Sequence, residues 1–171
     1  ERTLAIFRDR ASGILDQAVG GHEGNFLKAV ILGQRWLIEP DMEDSFSKTG
    51  LAHILAVSGL HVGYIVVLLN LIRSLLKLSN RAILLLQAVV LVLYCFLTGA
   101  SPSVARAVIM ALIYLAGQAI GRKPDIINSA GTAAFLILLF RPLDIFEISF
   151  QLSFLAVCTI GLFTEPIQNA L

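Results

Sequence analysis

Charge is what this chain has least of. Asp, Glu, Lys and Arg make up 15% of its 171 residues, where an ordinary soluble domain carries about 25%. Hydrophobic residues reach 57% and the mean hydropathy is +0.81. That combination argues against a soluble enzyme domain and against a disordered region. No sign of charge dominates either, because 13 basic and 12 acidic residues nearly cancel. A nucleic-acid module of the basic-patch kind is therefore not expected. Five prolines are too few for a linker-rich chain. The two cysteines, Cys95 and Cys158, lie in apolar runs without metal or redox spacing, and read as small packing residues. His53 and His61 are eight residues apart without an HExxH pattern. No nucleotide-binding motif is seen, so no cofactor and no metal are expected.

The missing charges are missing in blocks. No Asp, Glu, Lys or Arg occurs between Lys48 and Arg73, Arg81 and Arg106, Arg106 and Arg122, Asp125 and Arg141, or Glu147 and Glu165. A spanning helix needs about 20 mostly apolar residues. The pattern predicts an all-α, polytopic membrane bundle. Its five segments fall near Leu51–Ile72, Ala82–Leu97, Ser103–Ile120, Ile126–Phe140 and Ile145–Phe163. The fourth is short, reaching about 22 Å at 1.5 Å per residue. Arg73, Lys77 and Arg81 make the first loop basic, and Arg122 with Lys123 do the same for the third. The positive-inside rule puts both loops in the cytoplasm, residues 1–48 outside and the C-terminus inside.

Residues 1–48 form a separate external region before a bundle over 49–171. Leu4, Phe7, Ala11, Ile14, Leu15 and Ala18 recur at helical spacing. Gly20 to Gly24 breaks that helix, a second is expected over Asn25–Ile38, and Glu39-Pro40-Asp41 opens a short acidic third. These helices either cap the bundle or lie in the membrane interface around a vestibule. The opening Glu1-Arg2-Thr3 and the close after Thr164-Glu165-Pro166 suggest a piece of a longer membrane protein.

Polar residues inside apolar segments are functional candidates by default. Ser58-Gly59 loosens the first segment, with His53 and His61 on either side. Broken helices at membrane depth occur where they face protein or a water-filled cavity, and their free amides can meet an anion. A close helix crossing at Gly59 and Gly63 is the alternative. Ser101 and Pro102 suit the start of the third segment, with Ser103 and Arg106 in its first turns. Arg106 either snorkels to the surface or lines a pore mouth. Ser103, Ala107, Ala111, Tyr114 and Gln118 make a stripe for a neighbouring helix or a pore. Asn128 and Thr132 in the fourth segment, and Gln151 and Ser153 in the fifth, are either interhelical contacts or path-lining groups.

Three of these stretches, in order, resemble the membrane competence domain of ComEC-type DNA-internalisation proteins. They are His53-Ile54-Leu55-Ala56-Val57-Ser58-Gly59-Leu60-His61; Gly99-Ala100-Ser101-Pro102-Ser103 with Arg106-Ala107; and Phe150-Gln151-Leu152-Ser153-Phe154-Leu155-Ala156. The likeness covers roughly residues 24–163. It implies an inner-membrane channel, not an enzyme, that carries single-stranded transforming DNA into the cytoplasm. It also implies partners: an external OB-like domain on the same longer chain, in some members a metallo-β-lactamase-like domain, a DNA receptor outside, and a motor or single-strand-binding protein inside. On that reading His53, Ser58, Gly59, His61, Ser101, Ser103, Arg106, Asn128, Gln151 and Ser153 are candidates for the DNA path. Composition alone does not reach DNA, since single-strand sites usually combine basic grooves with stacking aromatics. Rivals are a small-solute transporter, a purely structural subunit, and a rhomboid-like serine protease built on Ala56-Val57-Ser58-Gly59.

Overall fold

The computed structural model describes residues 2–49, 58–77 and 79–170, and every regular element among them is helical. An amphipathic region of three helices comes first: α1 (Arg2–Val19), α2 (Gly21–Leu32) and α3 (Pro40–Lys48). Five apolar helices follow: α4 (Gly59–Leu76), α5 (Asn80–Leu97), α6 (Pro102–Ala119), α7 (Ile126–Phe140) and α8 (Ile148–Ala170). This is an all-α membrane helical bundle. Three helices, α4, α5 and α6, are each long and apolar enough to cross a membrane, while α7 and the apolar stretch Ile148–Phe163 are shorter.

Helix boundaries follow local chemistry. Ser79 caps α5 by accepting from the Ala82 N–H at 3.3 Å, and Asp125 caps α7 by accepting from the Asn128 N–H at 2.9 Å. Pro142 cannot continue α7, so a 3-10 turn over Pro142–Phe146 separates it from α8. The last helix therefore starts three residues after the Ile145 expected from the charge pattern. The α5–α6 turn puts Gly99 and Ala100 at φ 72° and 51° in succession, and the Ala100 N–H bonds the Cys95 carbonyl at 2.8 Å.

The amphipathic region departs from its expected outline. The break after α1 is confined to Gly20 rather than running to Gly24, and α2 ends at Leu32 instead of Ile38. Gly33 is the reason. It adopts φ 73°, and a Cβ there would lie 3.0 Å from the Thr98 carbonyl oxygen. Only glycine combines that φ with so close an approach. The end of α2 thus abuts the α5–α6 turn. Within the region, Lys28 Nζ reaches Asp16 Oδ1 at 2.6 Å, tying α1 to α2, and the Phe26 and Phe46 rings stand 5.8 Å apart.

Helix α6 is the centre of the bundle, packing against α4, α5, α7 and α8. The core is Val62 and Leu69 of α4, Ile83, Leu84 and Leu91 of α5, and Val104, Val108 and Leu115 of α6. The exterior is also apolar: Val67, Leu71 and Leu75 on α4, Leu85 and Leu93 on α5, and Phe135 and Leu139 on α7 are all exposed. A water-soluble protein rarely exposes so much contiguous apolar surface; a bilayer is the solvent that suits it. In that solvent helices associate through small residues. Accordingly α7 buries Ser129, Ala130 and Ala133. Gly161 of α8 also meets Ile127 so closely that a Cβ would sit 2.8 Å from its Cγ1. Gly161→Leu is expected to destabilise the bundle by about 1–3 kcal/mol, the usual range for overpacking. The check is a lowered thermal unfolding midpoint in detergent.

Candidate functional site

A buried arginine at the first turns of α6 organises the site. Arg106 is 4% exposed and turns toward α8. Its Nη2 donates to the Ser149 carbonyl at 2.9 Å and to Ser153 Oγ at 3.1 Å, and its Nε donates to Ser153 Oγ at 3.3 Å. Of the two readings of this residue, snorkelling to the surface is not what the structure shows. The guanidinium is held between helices. Two carboxylates, Glu147 and Asp144, are near enough to act on its charge. Asp144 is itself buried, and its Oδ1 forms an ion pair with Arg141 Nε at 3.2 Å. Arg106, Arg141 and Asp144 border a cleft of about 440 Å³. Its other walls are the α5–α6 turn, the apolar side chains of α6 and the last turn of α7.

The start of α4 is the second part. Ser58 is extended, with φ −123° and ψ 170°, and α4 begins at Gly59. The expected loosening of the first segment at Ser58-Gly59 is therefore a helix start. His61 folds back over it: its Nδ1 accepts from the Ser58 N–H at 3.2 Å and lies 3.3 Å from Ser58 Oγ. This reciprocal cap occupies the ring nitrogen that faces the serine. A general base needs that lone pair free for the hydroxyl, so the Ser58–His61 contact is built as a cap. The close crossing is present as well, since a Cβ on Gly59 would lie 3.2 Å from Ala107 Cβ. The capped end of α4 thus packs one residue away from Arg106. Ala107 and Ala111 pack against the core shared by α4, α5 and α6, so that part of the small-residue stripe is a helix contact.

The remaining candidates divide. Ser153 belongs to the Arg106 network. Ser101 sits at the N-cap of α6 without forming a side-chain cap, and its Oγ is sealed from solvent without a hydrogen-bond partner. Ser103 is half-buried on the next turn. Gln151 is exposed, its Nε2 donating to the Ile145 carbonyl at 2.9 Å, so it holds the turn into α8. Asn128 is exposed in the first turn of α7. It lies nine residues, about 13 Å along the axis, from the Ile137 that lines the cleft, and is not brought to Arg106. His53 lies outside the described residues.

Two groups escaped the sequence reading. Asp144 follows the fourth segment among the charges that bound it, and its spacing of three from Arg141 across Pro142 is the signature of a pair on one turn. Gln87 is 2% exposed in the middle of α5 and reaches the Val66 carbonyl of α4 at 3.5 Å. A lone amide in an otherwise apolar run was its signal.

Comparison with known proteins now bears on the geometry. The family model described as competence protein matches residues 30–171. ComE operon protein 3 of Bacillus subtilis (strain 168) is 37% identical over 128 residues, which is 75% of this chain and 16% of that protein. The chain thus spans about a sixth of that relative's length. No solved structure matches.

Ser153→Ala removes the acceptor of two Arg106 bonds. Hydrogen bonds to charged groups are worth about 1.5–3 kcal/mol, so this variant is expected to lose stability on that scale. Asn128→Ala, on an exposed site, should stay within about 0.5 kcal/mol. Paired thermal unfolding curves check both.

Proposed function

The chain belongs to the competence protein family, and from that premise we propose that it forms part of an inner-membrane, multi-pass channel carrying single-stranded transforming DNA into the cytoplasm. The observation that carries the proposal is a cationic group set into the apolar bundle beside a helix start. Arg106, the uncapped end of α6 and the capped end of α4 lie together. Helix N-termini carry partial positive charge, and they add to the guanidinium's. A strand bears one negative charge per nucleotide, so a favourable potential beside an apolar barrier is the feature its passage most needs. The carboxylates of Asp144 and Glu147 keep that potential moderate, which suits a path a polyanion must leave as well as enter.

The protein acts here as a conduit and not as an enzyme. The energy for movement comes from a cytoplasmic motor or single-strand-binding protein, and the strand is delivered by an external receptor. An OB-like domain of the same longer chain stands outside, and a metallo-β-lactamase-like domain, where attached, completes it. The abutment of Gly33 on Thr98 supports an arrangement in which the amphipathic region and the α5–α6 turn share one side of the membrane. The positive-inside rule makes that side the outside.

The test uses the full-length protein in a naturally transformable host supplied with labelled duplex DNA. Membrane levels are matched between wild type, Arg106→Gln and His61→Ala. Surface-bound label is expected to stay normal, while internalised label falls at least about tenfold, equivalent to about 1.4 kcal/mol on the rate-limiting step. Normal internalisation in both variants would overturn the path assigned to them.

A further inference from the structure

The cleft beside Arg106 is polar at one end only. Arg141 and Asp144 lie past the end of α7, and Ala100 and Pro102 lie at the start of α6. These mark the end of the bundle that meets the membrane surface. Moving inward along both helices, past Ala105 and Arg106, the walls become Ile109, Ile137 and Leu136. The cleft reaches about 10 Å down α6 from Pro102 to Ile109, at 1.5 Å per residue. Its polarity therefore changes along the direction of the helices, charged at the surface and apolar below.

That gradient is the gradient of a phospholipid in a bilayer. We infer that the α6–α7 cleft is a phospholipid site, with the phosphodiester held at Arg141 and Arg106 and the upper acyl chain lying along Ile109, Ile137 and Leu136. Of the groups that line the cleft, two are guanidiniums and one is a carboxylate, Asp144. Glu147 also acts on Arg106 but lies outside the lining, so within the cleft itself an anionic phosphodiester meets more cationic than anionic groups. Arg106 commits Nε and Nη2 to α8, leaving Nη1 to serve the cleft it lines. Arg141 is 67% exposed along its side chain and is free to swing from Asp144 to a headgroup. The outer lip points to the same occupant. Phe140 and Leu136 continue onto the apolar exterior of α7, through Phe135 and Leu139. A nucleic-acid strand seated in this cleft, rather than passing the helix starts of α4 and α6 beside Arg106, would press its neighbouring phosphates against that apolar face, at a large desolvation cost. A lipid presents a second apolar surface to it instead.

The experiment uses purified full-length protein in maltoside micelles. Phosphatidylglycerol is titrated, and its retention is read by native mass spectrometry together with the thermal unfolding midpoint. Parallel arms receive inorganic phosphate or a single-stranded oligothymidylate. Wild type is expected to retain the lipid and to be stabilised by it, with no such effect of phosphate. Arg141→Gln should weaken the apparent lipid affinity about tenfold, close to the loss of one charge-assisted hydrogen bond. Ala105→Leu, which fills the cleft from the α6 side, should abolish retention. Arg81→Gln, a basic residue outside the cleft, should bind as wild type. Should Ala105→Leu fail to fold, Arg141→Gln still decides, because its side chain is at the surface. Wild-type affinity in Arg141→Gln, equal loss in Arg81→Gln, or equal stabilisation by inorganic phosphate would each overturn the site. Displacement of the lipid by the oligonucleotide would overturn it too, and would make the cleft part of the strand path.

Discussion

Everything in the bundle is arranged around one buried guanidinium. A charged side chain deep among apolar helices is costly, and it persists only where its donors are met. Arg106 meets this condition by reaching across to α8, where the Ser149 carbonyl and Ser153 Oγ accept from it. That reach fixes the register of α8 against α6. The 3-10 turn over Pro142–Phe146 is then obliged to deliver α8 at that position, and in doing so it places Asp144 and Glu147 close to the same charge. The last third of the chain is thus organised electrostatically, in a bundle whose other helix contacts, apart from the Gln87–Val66 hydrogen bond, are dispersion and small-residue packing.

The opposite side of α6 obeys a different rule. Gly59 and Ala107 bring α4 close by having almost no side chain between them. Val62, Leu69, Val104 and Val108 then fill the space below. One helix therefore joins two kinds of interface: a dry, close-packed one with α4 and α5, and a hydrogen-bonded one with α8. The site lies where these interfaces meet, at the first turns of α6. This is why Ser58, His61, Ala107, Arg106 and Ser153, drawn from three helices, come into one neighbourhood.

Much of this was legible in the sequence because charge-free windows report membrane segments directly. The fourth segment matches α7 residue for residue, and the second and third miss their helices by one or two positions. Arg106 and Ser153 were recognisable separately, since polar groups in apolar runs stand out, but not as partners. A contact between residues 47 apart depends on helix rotation, which periodicity fixes only coarsely. The short end of α2 was legible only in part, for a related reason. Gly33 ends that helix in the left-handed conformation that glycine commonly supplies at a helix end, a signal present in the sequence; the close approach of Thr98, which makes glycine obligatory there, is recorded nowhere nearby. Asn128 shows the converse error. It shares chemistry with the site and sits on a packed helix, yet the antiparallel course of α6 and α7 carries it toward the other end.

The fifteen residues of α7 have a consequence for the membrane itself. A helix of about 22 Å in a hydrocarbon layer of about 30 Å is mismatched, and bilayers answer a short helix by thinning beside it. The apolar Leu143 and Phe146 of the following turn are exposed, as residues lying flat against a depressed lipid surface would be. Thinning there lowers the water boundary toward the depth at which Arg106 is fixed. It also compresses the same transmembrane voltage into a shorter distance, so the electric field is steepest along the flank of the bundle that carries the buried guanidinium of Arg106.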